Sequence, residues 1–159
     1  MCSTVGSNLP RYLHVDSSLR SAGSQHGPRR YNRTVYSERL LDHFQNPRNA
    51  GELDDPDVKV EVSNPACGDI LRLTARLEAG RLAEVRFLTR GCTASIAVGS
   101  ALTELLQGKS GPEAAAVTRV QVEEAVGGLS NESKHAAVLA LDAVKALLKQ
   151  MPLSAPETA

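Results

Sequence analysis

Apolar and polar residues alternate along three stretches in the middle of the chain. Val58, Val60 and Val62 alternate with Lys59 and Glu61. Leu71, Leu73, Ala75 and Leu77 alternate with Arg72, Thr74 and Arg76, and Ala83, Val85 and Phe87 with Glu84 and Arg86. A period of two puts one face of each strand in the core and the other in water. The short link Glu78-Ala79-Gly80-Arg81 predicts a hairpin between the last two strands. On either side the period lengthens to that of a helix. Ahead of the strands, Leu40, Leu41 and Phe44 share one face of a helix that opens after Ser37, an N-cap residue, and stops before Pro47. His43 reads as a hydrogen-bonded histidine of that helix. Behind the strands, the stretch Thr93 to Gln107 repeats apolar residues at Ile96, Val98, Ala101, Leu102, Leu105 and Leu106, with Gly108 as its stop. Ser110-Gly111-Pro112-Glu113 has capping-box spacing with an early proline and predicts a short helix. Another short helix covers about Val120–Val126 and ends at Gly127-Gly128. The last helix runs from about Ser133 to Met151, with Ala137, Ala140, Leu141, Val144, Leu147, Leu148 and Met151 inward, and Pro152 stops it. Strands first and helices after predict an α+β fold: a small three-stranded antiparallel sheet with an N-terminal helix and C-terminal helices packed on one face. No internal repeat appears.

Composition divides the chain further. Its 159 residues suit one folded domain. The 18 basic and 18 acidic residues cancel, yet unevenly. Residues 1–34 hold Arg11, Arg20, Arg29, Arg30 and Arg33 against Asp16, a balance of +4, so residues 35–159 carry −4, with 13 basic against 17 acidic. The first segment is rich in Ser and Gly and lacks sustained periodicity, so it buries too little to offset its ordering entropy. The expected organisation is a disordered basic extension over 1–34, a folded domain over 35–151 and a flexible tail over 152–159. An Arg-rich, Ser-rich and acid-poor leader also fits an organelle transit peptide; without one, the expected location is cytoplasmic. Balanced charge and few aromatics (two Phe, three Tyr, no Trp) argue against a nucleic-acid partner. No apolar run reaches the ~18 residues of a membrane helix. Three cysteines, Cys2, Cys67 and Cys92, cannot all pair and are too few for a disulfide scaffold.

The thiols and their neighbours carry the candidate chemistry. Cys67 lies in Asn64-Pro65-Ala66-Cys67-Gly68-Asp69, a turn between the first two strands, where a thiolate and the Asp69 carboxylate can face one centre. Cys92 lies in Arg90-Gly91-Cys92-Thr93, at the electropositive start of the long helix. His135 lies in the first turn of the last helix. All are element ends, where functional residues collect. The bland readings stand beside these: a small buried cysteine, an aspartate that closes a turn, an ordinary surface histidine, and an incidental Cys2. The 24 residues between Cys67 and Cys92 match no short zinc motif.

From Tyr36 to about Gln150 the chain resembles the iron–sulfur cluster assembly scaffolds of the IscU, NifU N-terminal and SufU family. The resemblance rests on several segments. One is Tyr36-Ser37-Glu38-Arg39-Leu40-Leu41-Asp42-His43-Phe44-Gln45-Asn46-Pro47-Arg48-Asn49; others are the Cys67 segment and Gly91-Cys92-Thr93-Ala94-Ser95-Ile96-Ala97. Gly108-Lys109-Ser110, Lys134-His135 and Ala140 to Lys145 complete it. It implies a non-enzymatic scaffold that assembles a [2Fe–2S] cluster from iron and the sulfur of a cysteine desulfurase, then passes it to acceptor proteins. In that role Cys67 and Cys92 ligate iron, Asp69 tunes lability and transfer, and His135 is a ligand or handles a proton. Two departures qualify the picture. The family's third cysteine follows the histidine, where this chain has Ala136; and the Leu-Pro-Pro-Val-Lys motif for a dedicated Hsp70 chaperone is absent before His135. The donors Cys67, Asp69, Cys92 and His135 would hold a labile cluster or iron, and the same four suit tetrahedral Zn²⁺. A homodimer could instead offer Cys67 and Cys92 from each copy. Alternatives are a degenerate scaffold that binds a desulfurase as a regulatory partner, a zinc-binding domain, and a sulfur-transfer enzyme using Cys92.

Overall fold

A computed structural model describes residues 36–152. The expected extension over 1–34, Cys2 within it, and all of the expected tail but Pro152 lie outside the described residues. The elements are α1 (Glu38–Gln45), β1 (Val58–Ser63), β2 (Ile70–Glu78), β3 (Arg81–Arg90), α2 (Thr93–Leu106), α3 (Gly111–Ala115), α4 (Arg119–Ala125) and α5 (Lys134–Gln150), with one 3-10 turn at Asn131–Ser133 leading into α5. The three strands pair antiparallel in the order β1-β2-β3, which is the expected α+β sheet. Local signals explain most boundaries. Ser37 caps α1 by accepting the Leu40 N–H, Ser110 and Glu113 close a capping box on α3, and Thr118 and Gln121 close another on α4. Between β2 and β3, Ala79 (φ 51°) and Gly80 (φ 73°) are both left-handed, the two-residue turn whose twist matches that of the strands.

The alternation expected for β3 is corrected at its start. Leu82, not Ala83, is buried there, together with Val85 and Phe87 further on. Arg76 pairs with Glu84 and Leu77 with Leu82, so Ala83 is an extra, unpaired residue. This β-bulge shifts the inward positions by one residue relative to a regular strand.

Helix α2 occupies the centre. It packs on β3 and touches α1, α4 and α5, while α5 lies across β1 and β2. Its burial therefore reaches polar as well as apolar positions: Ser95, Ser100 and Thr103 are buried with Ala94, Ala97, Val98, Ala101, Leu102 and Leu106. The segment after α1 uses those hydroxyls. The Arg48 N–H donates to Ser100 Oγ (2.8 Å), and Asn49, held at φ 55°, donates its amide to Thr103 Oγ1 (3.1 Å). The same segment covers the open edge of β3, with the Gly51 N–H donating to Phe87 O (2.9 Å) and the Phe87 N–H to Asn49 O (3.1 Å). His43 is buried as expected of a bonded helix histidine, 2.9 Å from Ser100 Oγ through Nδ1 and 3.8 Å from Glu104 through Nε2. No helix among the described residues is long and apolar enough to cross a membrane.

Two predictions follow from this packing. A Cβ added at Gly99 would stand 2.5 Å from the Phe87 ring and 3.0 Å from Thr89 Oγ1. Gly99→Ala should therefore destabilise the fold by about 1–3 kcal/mol, the usual cost of overpacking, as read by denaturant unfolding. His43 titrates below its ordinary 6.5, chiefly because burial disfavours the charged ring and secondarily because of the Arg48 charge. With the folded value depressed, the unfolded chain takes up the proton first as pH falls. The stability contributed by neutral His43 is thus complete above the ordinary value and lost below it. The melting temperature should fall more steeply between about pH 7.5 and about pH 5.5, the histidine window, in the wild type than in His43→Gln; parallel slopes would refute the assignment.

Candidate functional site

The turn between β1 and β2 is closed by Asn64. Its carbonyl accepts the Gly68 N–H (2.7 Å), its side chain accepts the Ala66 N–H (2.9 Å), and its own N–H donates to Asp69 O (2.8 Å). Gly68 sits at φ 74°, in the left-handed region. This geometry leaves Cys67 exposed on the turn and Asp69 turned inward, at 5% exposure. Asn64 thus does the work that a bland reading would give Asp69, and the Asp69 carboxylate is left to face other side chains.

Those side chains come from α2 and α5. Cys92 is the N-cap of α2, in extended conformation (φ −76°, ψ 170°), and its side chain makes no capping bond. Its exposed Sγ lies 3.4 Å from Ser95 Oγ and 3.9 Å from His135 Nε2. Ser95, one turn into α2 and buried, donates its hydroxyl to Asp69 Oδ2. His135 Nε2 stands 3.6 Å from the same Asp69 oxygen. Between β3 and α2, Gly91 makes room: a Cβ there would fall 2.7 Å from Asp69 Cγ and 2.8 Å from Oδ1.

The structure brings three of the four sequence-selected donors together and sets the fourth beside one of them. One ligand atom each from Cys67, Asp69 and His135 lie within 4.8 Å of one another, and Cys92 borders the group through His135. Sulfur, imidazole nitrogen and carboxylate oxygen together match the donors that zinc accepts, and iron takes thiolate and imidazole. In a nucleophile–base–acid relay the acid holds the ring nitrogen opposite the one facing the nucleophile. Here Cys92 and Asp69 both face Nε2, the arrangement of donors around a shared centre.

One residue matters beyond those selected. Ser95 went unseen, because its only sequence signal is a spacing of three from Cys92, which acquires meaning once Cys92 is known to begin the helix. Ala136, next to His135, is 1% exposed and belongs to the hydrophobic core.

Residues 35–155 match the family described as the NifU-like N terminal domain. The chain is 42% identical over 111 residues to the iron-sulfur cluster assembly scaffold protein IscU 1 of Archaeoglobus fulgidus, covering 70% of this chain and 72% of that one. It is 41% identical over 119 residues to the IscU scaffold protein of Azotobacter vinelandii, covering 72% and 92%. Among solved structures, the N-terminal NifU-like protein of Brucella abortus superposes with a TM-score of 0.62 at 18% identity, over 77% of this chain and 98% of that chain. A SUF-system scaffold protein from Fervidobacterium islandicum gives 0.58 at 19% identity, over 74% and 98%. These two likenesses show the fold.

Gly91→Ala should drive the Asp69 carboxylate away from Ser95 and His135. The expected result is a loss of Zn²⁺ affinity of about 10–100-fold, the range seen when a ligand loses its support, measured by competition with a chromophoric chelator. Unchanged affinity would show that Gly91 does not set the carboxylate.

Proposed function

The chain belongs to the NifU-like N-terminal domain family, and from that membership we propose that it is a scaffold on which an iron–sulfur cluster is assembled as cargo and then passed on. The supporting observation is the convergence of Cys67, Asp69 and His135 within 4.8 Å of one another, with Cys92 Sγ 3.9 Å from His135 Nε2. Sulfur comes from a cysteine desulfurase, and the finished cluster, of the [2Fe–2S] type, goes to acceptor proteins. Cys67 and Cys92 are the thiolate ligands, His135 is the imidazole ligand, and Asp69 supplies a hard oxygen beside them. The protein holds and releases; it catalyses no bond making of its own.

Ala136 favours a second reading. With a methyl group, 1% exposed, in place of a thiol after His135, the chain could occupy a desulfurase as a regulatory partner without completing a cluster. Zn²⁺ fits the same four donors by chemistry and is the natural probe of the site.

Anaerobic reconstitution with iron, sulfide and a cysteine desulfurase separates the two readings. Under the scaffold reading the wild type develops the visible absorption of a cluster, and Cys67→Ser and Cys92→Ser each lose most of it. Under the regulatory reading the wild type stays colourless and only Ala136→Cys gains the spectrum. A wild type that stays colourless would overturn the scaffold function for this chain.

A further inference from the structure

Ser95, at 3% exposure in the first turn of α2, is a buried hydroxyl that reaches into the cluster of donors. A hydroxyl has one hydrogen to give. Two acceptors compete for it: Asp69 Oδ2, with which it forms a direct bond, and Cys92 Sγ at 3.4 Å. A bond to a carboxylate is charge-assisted and stronger than one to sulfur, so the hydrogen belongs to Asp69. The carboxylate needs that bond. It is buried, its Oδ2 has His135 Nε2 at 3.6 Å as its other neighbour, and the absent Cβ of Gly91 leaves the space on its far side. Without the hydroxyl, the carboxyl group would lose the contact that fixes its rotation about the Cα–Cβ and Cβ–Cγ bonds.

We propose that Ser95 is the positioning residue of the metal site: its hydroxyl holds Asp69 in the orientation that presents a carboxylate oxygen beside Cys67 and His135. The inference rests on the reading of Asp69 as a metal ligand. It also gives α2 two parts in one site, Cys92 at the rim and Ser95 behind it, one helical turn apart. Ligands that are themselves hydrogen-bonded bind metal better, and loss of such a partner costs about 10–100-fold in affinity.

The test uses the full chain and Zn²⁺ alone as probe, titrated against a chromophoric chelator. Ser95→Ala should lower affinity about 10–100-fold, and Ser95→Thr, which keeps the hydroxyl, should restore most of it. In an Asp69→Ala background, Ser95→Ala should change nothing further, because a residue that acts through Asp69 has nothing left to hold. A merely structural serine would weaken binding equally in both backgrounds, and that result would overturn the proposal, as would unchanged affinity in Ser95→Ala. If Asp69→Ala alone leaves affinity intact, the ligand reading fails and the proposal falls with it. If Asp69→Ala weakens binding but Ser95→Ala does not, only the Ser95 inference fails. Should Ser95→Ala not fold, the isosteric pair Ser95→Thr and Ser95→Val, alike in shape and different in the hydroxyl, decides the same question.

Discussion

The separation between α2 and the end of the sheet governs the rest of the molecule. At Gly99 the helix backbone lies against the Phe87 ring so closely that a Cβ would stand 2.5 Å from it. At Gly91, where the chain leaves β3 for α2, a Cβ would strike the Asp69 carboxylate at 2.7 Å. Glycine at both places lets the helix start beside the β1–β2 turn. The small residues Ala94, Ala97 and Ala101 keep α2 close to its neighbours along its length. A helix buried on nearly every side cannot rotate to relieve a clash, because each rotation that frees one contact compresses another. The positions of Cys92 and Ser95 are therefore consequences of core packing, fixed before any metal arrives.

The same enclosure explains the polar residues inside. A helix exposed on one face would turn Ser100 and Thr103 outward. Here the Asn46–Asn49 stretch lies over them and bonds to both, so they serve as anchors for the segment that seals the β3 edge. Ser100 takes part twice, receiving the Arg48 N–H and facing His43 Nδ1. A neutral His43 protonated on Nε2 satisfies this set, with the Ser100 hydroxyl donating to Nδ1 and the Nε2–H facing Glu104. The Asn46-Pro47-Arg48-Asn49 stretch, the end of the first segment that carries the family resemblance, is in physical terms a clamp between α2 and β3.

How much of this could be read from the residues follows from the range of each interaction. Caps, the Ala79-Gly80 turn and the alternation of β1 and of the apolar positions of β2 are local and were legible, whereas Thr74, read on the polar face, is buried because the Leu53 N–H from the preceding loop bonds to its hydroxyl. The β3 register was not, because the bulge at Ala83 depends on how β2 pairs opposite it, and alternation cannot report a partner strand. The candidate donors were legible as element ends. Their convergence was not, since it needs the turn after β1, the start of α2 and the start of α5 to meet, and only the packing of α2 and α5 on the sheet brings them together. Ser95 was hidden for the same reason. In a sequence it is one small residue in an apolar helix; its meaning comes from Asp69, 26 positions away along the chain.

Exposure sorts the donors by their part in holding a cargo. Cys67 and Cys92 are open to solvent, His135 is half-buried and Asp69 is buried. The two thiols thus form the rim of the candidate site, and the imidazole and carboxylate form its floor. Ala136, next to His135, is 1% exposed and its methyl belongs to the hydrophobic core. Two thiolates, one imidazole and one carboxylate grip iron less firmly than a set of thiolates alone. For a protein that must both receive a cluster and let it go, weaker grip shifts the balance toward release. With so few thiols among the candidate donors, the orientation of Asp69, and of the Ser95 hydroxyl bonded to it, matters more to the site as proposed.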